Sequence, residues 1–125
     1  MSHVPSDLKY SAAHDWVRID GDIATVGITD HAQSCLGDIT YIELPQAGQT
    51  LQFGDNCVVV ESLKAASEIV MPLSGQILEV NQTIVDSPET VNRDPYGNGW
   101  FFRVRINNPT EADSLMNADA YSELL

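Results

Sequence analysis

Basic side chains are scarce in this chain. Six Lys and Arg stand against 18 Asp and Glu, a formal net charge of −12. Phosphate binding needs clustered Lys and Arg, so nucleic acid is excluded as a partner. An acidic surface favours solubility and steers a protein toward basic patches on others. Cysteine is scarcer still. Cys35 and Cys57 stand apart, with neither CxxC nor metal-ligand spacing. They read as reduced structural thiols of a cytosolic protein, with a disulfide between them left open. No apolar stretch approaches the length of a membrane span. The segment 1–15 has neither a signal-peptide core nor the Arg-rich character of a transit peptide, so cytoplasm is the expected location.

Catalytic signatures are missing as well. There is no G-x-S-x-G elbow, no P-loop and no G-x-G-x-x-G. No H-x-x-x-H or Cys/His cluster suggests zinc, and Asp20-Gly21-Asp22 is too short for an EF-hand loop. His3, His14 and His31 show no nucleophile pairing. His14 beside Asp15 fits a base with an orienting acid, or more simply two residues at a strand edge.

What is present is a globular, mainly β pattern. With 125 residues and 43% hydrophobic content, the chain suits one domain (1–125) that buries roughly two-thirds of its unfolded surface. Trp16–Ile19 and Ile23–Ile28 read as strands joined at Asp20-Gly21-Asp22, a hairpin signal. Thr29 or Asp30 can cap a short helix through Leu36, which Gly37 would end. Ile39–Leu44, Val58–Val60, Ile69–Val70, Gln76–Val80 and Trp100–Ile106 read as further strands. From Thr110 the spacing of Glu111, Leu115, Met116, Tyr121 and Leu124 predicts a C-terminal helix over about 110–125.

Lys64 is one of only two lysines, and it lies between two β-branched runs. Val59 with Val70, Val60 with Ile69, Glu61 with Glu68 and Leu63 with Ala66 pair about it, each pair summing to 129. This predicts a hairpin turning at Lys64 and Ala65, with Glu61 facing Glu68. A like-charge pair of that kind costs stability. A lysine so placed is a presented amine and a candidate covalent attachment point. Two other readings stay open. One is a short helix, from the i, i+3 and i, i+4 spacing of Glu61, Lys64 and Glu68; the other is a lysine placed for solubility. Glutamates nearby favour the ammonium form, which argues against a free Schiff-base amine and not against acylation by a separate enzyme.

A short repeat flanks the lysine. Pro45-Gln46-Ala47-Gly48-Gln49-Thr50-Leu51 matches Pro72-Leu73-Ser74-Gly75-Gln76-Ile77-Leu78 at Pro, Gly, Gln and Leu, offset by 27 residues (72 minus 45). It suits two pseudo-symmetric halves of a β-domain. Chance matching of turn residues is the alternative.

Taken in order, the motifs resemble the H proteins of the glycine cleavage system, a lipoyl-carrier family. They are His14-Asp15-Trp16-Val17, Val26-Gly27-Ile28-Thr29-Asp30-His31-Ala32-Gln33, Leu36-Gly37-Asp38-Ile39 and Glu43-Leu44-Pro45. They continue through Val60-Glu61-Ser62-Leu63-Lys64-Ala65-Ala66-Ser67-Glu68, Pro72-Leu73-Ser74-Gly75 and Val80-Asn81. Pro88-Glu89, Val91-Asn92 and Asp94-Pro95-Tyr96-Gly97-Asn98-Gly99-Trp100 complete them. The family usually has Glu where Asp15 stands, Val where Leu63 stands and often Asp where Glu68 stands.

The resemblance implies a lipoyl/biotinyl-type β-sandwich (a barrel-sandwich hybrid) of two pseudo-symmetric halves, with short helices. It implies lipoic acid in amide linkage on Lys64 of a non-catalytic carrier, the lipoyl-lysine forming a swinging arm. The implied partners are glycine decarboxylase (P protein), the tetrahydrofolate-dependent aminomethyltransferase (T protein), dihydrolipoamide dehydrogenase (L protein) and lipoate-attaching enzymes. Asp15, Glu61 and Glu68 are the candidates for an arm cleft or for recognition by the attaching enzyme. A monomer without membrane attachment is expected. An H-like lipoyl relay protein, or a 2-oxo-acid dehydrogenase-type lipoyl or biotinyl domain, is the alternative. A biotin carrier would place methionines beside the lysine, where this chain has Leu63 and Ala65.

Overall fold

The computed structural model describes residues 4–125; residues 1–3, His3 among them, lie outside the described part. In chain order the elements are β1 (Lys9–Tyr10), β2 (Asp15–Asp20), β3 (Ile23–Ile28), α1 (Asp30–Leu36), β4 (Ile39–Glu43), β5 (Thr50–Leu51) and β6 (Asn56–Ser62). They continue with β7 (Ala66–Val70), β8 (Gly75–Val80), α2 (Gln82–Asp86), α3 (Glu89–Arg93), β9 (Phe102–Ile106), a 3-10 turn (Pro109–Ser114) and α4 (Ala118–Ser122). One sheet runs β1-β2-β3-β9-β8-β5 and the other β4-β6-β7. All pairings are antiparallel.

The two sheets share one apolar core because alternation along each strand sends one set of side chains inward. Ala24, Val26 and Ile28 of β3, Ile77 of β8 and Phe102 and Val104 of β9 are buried with Ile42, Val58, Val60 and Ile69 of the smaller sheet. Each fully buried aliphatic side chain contributes about 1.5–3 kcal/mol. This is the expected mainly β sandwich with short helices. A second cluster joins Leu8, Tyr10, Trp16 and Tyr121 near the two ends of the described chain.

The repeat has a structural counterpart. Its two copies lie antiparallel against each other, Thr50 opposite Gln76 and Leu51 opposite Gly75. Ile77 donates its N–H to Gln49 O at 2.8 Å, and Gly48 donates to Ile77 O at 2.7 Å. The matching glycines serve different needs. Gly48 has φ +92°, whereas a Cβ on Gly75 would meet Arg105 O at 2.1 Å.

The C-terminal helix expected over 110–125 is instead two short pieces. Met116 breaks it by exchanging backbone hydrogen bonds with Tyr10, at 2.7 and 2.8 Å. A residue bonded to a neighbouring strand cannot also continue a helical ladder. Asn117 then caps α4 by accepting from the Ala120 N–H. The strand expected from Trp100 begins at Phe102; the Trp100 carbonyl is taken by Asn81 Nδ2 at 2.7 Å.

Candidate functional site

Helix α1 forms as its ends dictate. Thr29 Oγ1 accepts from the Ala32 N–H at 3.2 Å, and Gly37 closes the helix with φ +77°, a conformation open to glycine. The chain leaving α1 passes beneath the hairpin of β6 and β7. Val58 pairs with Ile69, Val59 with Glu68, Val60 with Ser67 and Glu61 with Ala66. These pairs sum to 127, so the turn centres on Leu63 and Lys64, one residue earlier than expected.

The register differs from expectation by two residues, which preserves the face of every side chain and changes only its partner. The turn is closed by the Ser62 N–H donating to Ala65 O at 2.8 Å. Ser62 Oγ also accepts from the Ala65 N–H at 3.1 Å. The predicted confrontation of Glu61 with Glu68 is therefore absent: Glu61 faces Ala66 and Glu68 faces Val59. Both carboxylates are exposed. The short-helix reading of this segment falls with the same pairing.

Lys64 is exposed at the tip, beside a Leu63 that is 77% exposed. The Leu63 N–H donates to Asp38 O at 3.1 Å, which fastens the tip to the segment after α1. The lysine stem lies over Gly37; a Cβ there would sit 3.2 Å from Lys64 Cε. The ion pairs among the described residues, Arg103–Glu79 and Arg105–Asp22, involve neither Lys64 nor its glutamates.

Asp15 departs most from expectation. It is neither a strand-edge residue nor an exposed acid, but opens β2 opposite Ile28 with no exposed surface. Its Oδ2 accepts from Ser11 Oγ at 3.3 Å, and its buried Oδ1 has no hydrogen-bond partner among the described residues. Burial pushes the carboxyl up to about 8, offset in part by Ser11. Trp16 and Val17 follow it into the core and carry it inside.

His14 does not pair with Asp15. Its Nδ1 is 2.8 Å from Tyr121 Oη, and its ring lies 4.9 Å from that of His31. Burial, then His31, holds its pKa below the usual value. Tyr121 Oη also meets Thr29 Oγ1 at 2.7 Å, so α4 touches the starts of both α1 and β2.

Glu68 belongs to a groove of about 420 Å³, shared with Glu43, Leu44, Gln49, Cys57 and Val59; Asp15 and Glu61 do not line it. The Cys57 thiol is pushed up to about 12, first by burial and then by the charges of Asp15 and Asp55. Cys35, exposed, and Cys57, half-buried, are both free in the structure. Along the pleat Glu61 and Glu68 fall on the same face of the hairpin as Val59, and of the two only Glu68 reaches the groove.

The model of the glycine cleavage H-protein family matches residues 8–125. The chain belongs to that family. It is 56% identical over 124 residues to a glycine cleavage system H protein from Laribacter hongkongensis, covering 98% of both chains. It is 51% identical over 125 residues to another from Carboxydothermus hydrogenoformans, covering 100% of this chain and 96% of that one. The crystal structure of a glycine cleavage system H protein from Mycobacterium marinum superposes with a TM-score of 0.90 at 39% identity, covering 97% and 98% of the two chains. Membership bears out the fold and the place in glycine cleavage that the motifs implied.

Within this member of the family, four residues of the site escaped sequence reasoning in their present roles. Ser62 closes the turn, Asp38 receives the tip, Ser11 supports Asp15, and Asn92 holds the segment under the tip. Ser62 carried a signal, since a hydroxyl just before a tight turn commonly bonds the backbone across it. The others act across folded distance. Among the described residues no group of three or more His, Cys, Asp or Glu could hold a metal ion, and no helix is long and apolar enough to cross a membrane.

Proposed function

We propose that the protein carries lipoic acid in amide linkage to Lys64 Nζ and serves as the non-catalytic carrier of glycine cleavage. The observation that supports this best is the stance of Lys64: an exposed amine on a two-residue turn, on a hairpin whose inner face is locked in the core. The residues present suit an acylated arm. Gly37 leaves the space along which the lysine stem lies, a space that a Cβ would fill. No ion pair anchors the ammonium among the described residues, so loss of its charge on acylation breaks no salt bridge.

The lipoyl group, when bound, supplies a disulfide that takes up the aminomethyl unit of glycine and is later reoxidised. The chain presents it and shelters what it carries. A cationic amine brought near Asp15 would favour the ionised carboxylate, offsetting the burial that now raises its pKa. Its Oδ1, without a hydrogen-bond partner among the described residues, would accept from that amine once the buried carboxyl is uncovered. Glu68 would add a second acceptor from the groove, and Glu61, exposed nearer the tip and outside the groove, would serve recognition by the attaching enzyme.

On this reading 1–125 works as one lipoyl-carrier domain, monomeric and cytoplasmic. Its partners are glycine decarboxylase, the aminomethyltransferase, dihydrolipoamide dehydrogenase and the lipoate-attaching enzymes. Intact-mass measurement of the protein from lipoate-replete cells, with peptide mapping across Lys64, tests it. A lipoyl adduct on Lys64 is expected; a biotin adduct, or no adduct, overturns the reading.

A further inference from the structure

We propose that Asn92 is a positioning residue for Lys64, acting through the segment 37–39 on which the tip of the hairpin rests. Asn92 stands on α3, which is anchored by the buried Val91. Its side chain reaches a segment more than fifty positions away in the chain. Asn92 Oδ1 accepts the Ile39 N–H at 2.9 Å. Asn92 Nδ2 donates to Gly37 O at 2.8 Å and to Gln33 Oε1 at 2.9 Å. Both donors and the acceptor of one amide are thus engaged, and the network sets its orientation.

These bonds bracket Asp38, whose carbonyl receives the Leu63 N–H at 3.1 Å. On one side Gly37 lies under the Lys64 stem; on the other Ile39 pairs with Ser62, the residue that closes the turn. One side chain therefore fixes the residues before and after the tip's attachment point. The buried hairpin positions Val58, Val60 and Ile69 sit in the core without its help. Loss of Asn92 should loosen the tip and leave the strands beneath it in place.

The proposal rests on Lys64 as the modified residue, but its first readout does not. Amide exchange is followed by NMR in the unmodified protein, for Asn92→Ala and for Asn92→Asp, which keeps the shape and the Ile39 acceptor. Exchange at the Leu63 N–H should accelerate at least about tenfold in Asn92→Ala while Val60 and Ile77 stay unchanged, because only the tip loses its restraint. Lipoylation of each variant by a lipoate-attaching enzyme should then show KM for the protein raised about tenfold with kcat retained, since only molecules with the tip in place bind productively.

Unchanged Leu63 exchange, or exchange accelerated equally through the core, would overturn the proposal; so would an unchanged KM. If Asn92→Ala does not fold, Asn92→Asp decides on the same readouts. Failure of the lipoyl reading would show separately, as wild-type protein that gains no adduct while Leu63 still responds to Asn92.

Discussion

The tip around Lys64 and the start of β2 around Asp15 hold an ionisable group by opposite means. Lys64 stays in water, and hydrogen bonds of its neighbours restrain its base: the Ser62–Ala65 closure and the Leu63–Asp38 bond. Asp15 is out of water, carried inward by its neighbours, with one oxygen supported by Ser11 and the other by nothing among the described residues. A solvated charge costs the fold little and is accessible to an enzyme. A desolvated carboxyl opposes folding when ionised, and can give that energy back to a cation. Holding a charge in water and holding one out of it therefore make different demands on the same small domain.

The sharpest break in this comparison is Lys64→Arg. It keeps the charge but removes the acylatable amine, so lipoyl addition should vanish by intact mass. With no ion pair to lose, the melting temperature should stay within about 1 °C. Asp15→Asn should act on stability instead. Burial holds the folded carboxyl at about 8, above its ordinary value of 3.8. Between those values the native state holds more protons than the unfolded chain, so wild-type stability falls as pH rises through this window. Asn does not titrate. The variant should gain on wild type as pH rises, reaching an advantage of about 3 °C or more in melting temperature near pH 8. Parallel melting curves across pH would place Asp15 in water. In the loaded protein, the same variant should shorten the half-life of the bound one-carbon unit several-fold.

Gly37→Ala probes the track beneath the arm. Its φ of +77° and ψ of −152° belong to glycine, and the added methyl would crowd Lys64 Cε at 3.2 Å. A loss of about 1–2 kcal/mol in denaturant unfolding is expected. The smallest effect should be that of Glu61→Gln. Glu61 is exposed and faces Ala66, so stability should change by less than about 0.5 kcal/mol. A raised KM for lipoylation at unchanged stability would assign Glu61 to enzyme recognition.

Much of this was legible in the sequence, and the misses have physical reasons. Thr29 and Gly37 bounded α1 because capping chemistry is local. Alternation placed Val58, Val60 and Ile69 inward because the pleat repeats every two residues. That same periodicity is blind to a slip of two, so it could not separate the pairing of Glu61 with Glu68 from the observed pairing with Ala66. Helices α2 and α3 have five residues each, too short for a helical period to declare itself. Lys64 emerged from its motif. Asp15 was named as a site residue but with the wrong environment, because nothing local to His14-Asp15-Trp16 shows that the acid is carried inside. Asn92 is tied to Ile39 across 53 residues and had no local signal.

Tyr121 ties a late segment of the chain to an early one. Its hydroxyl touches His14 and Thr29, and its ring stacks on Tyr10 at 4.7 Å. The wall beside Asp15 is therefore closed by a segment 107 positions further along the chain than His14, so whatever frays α4 also opens the surroundings of His14 and Thr29.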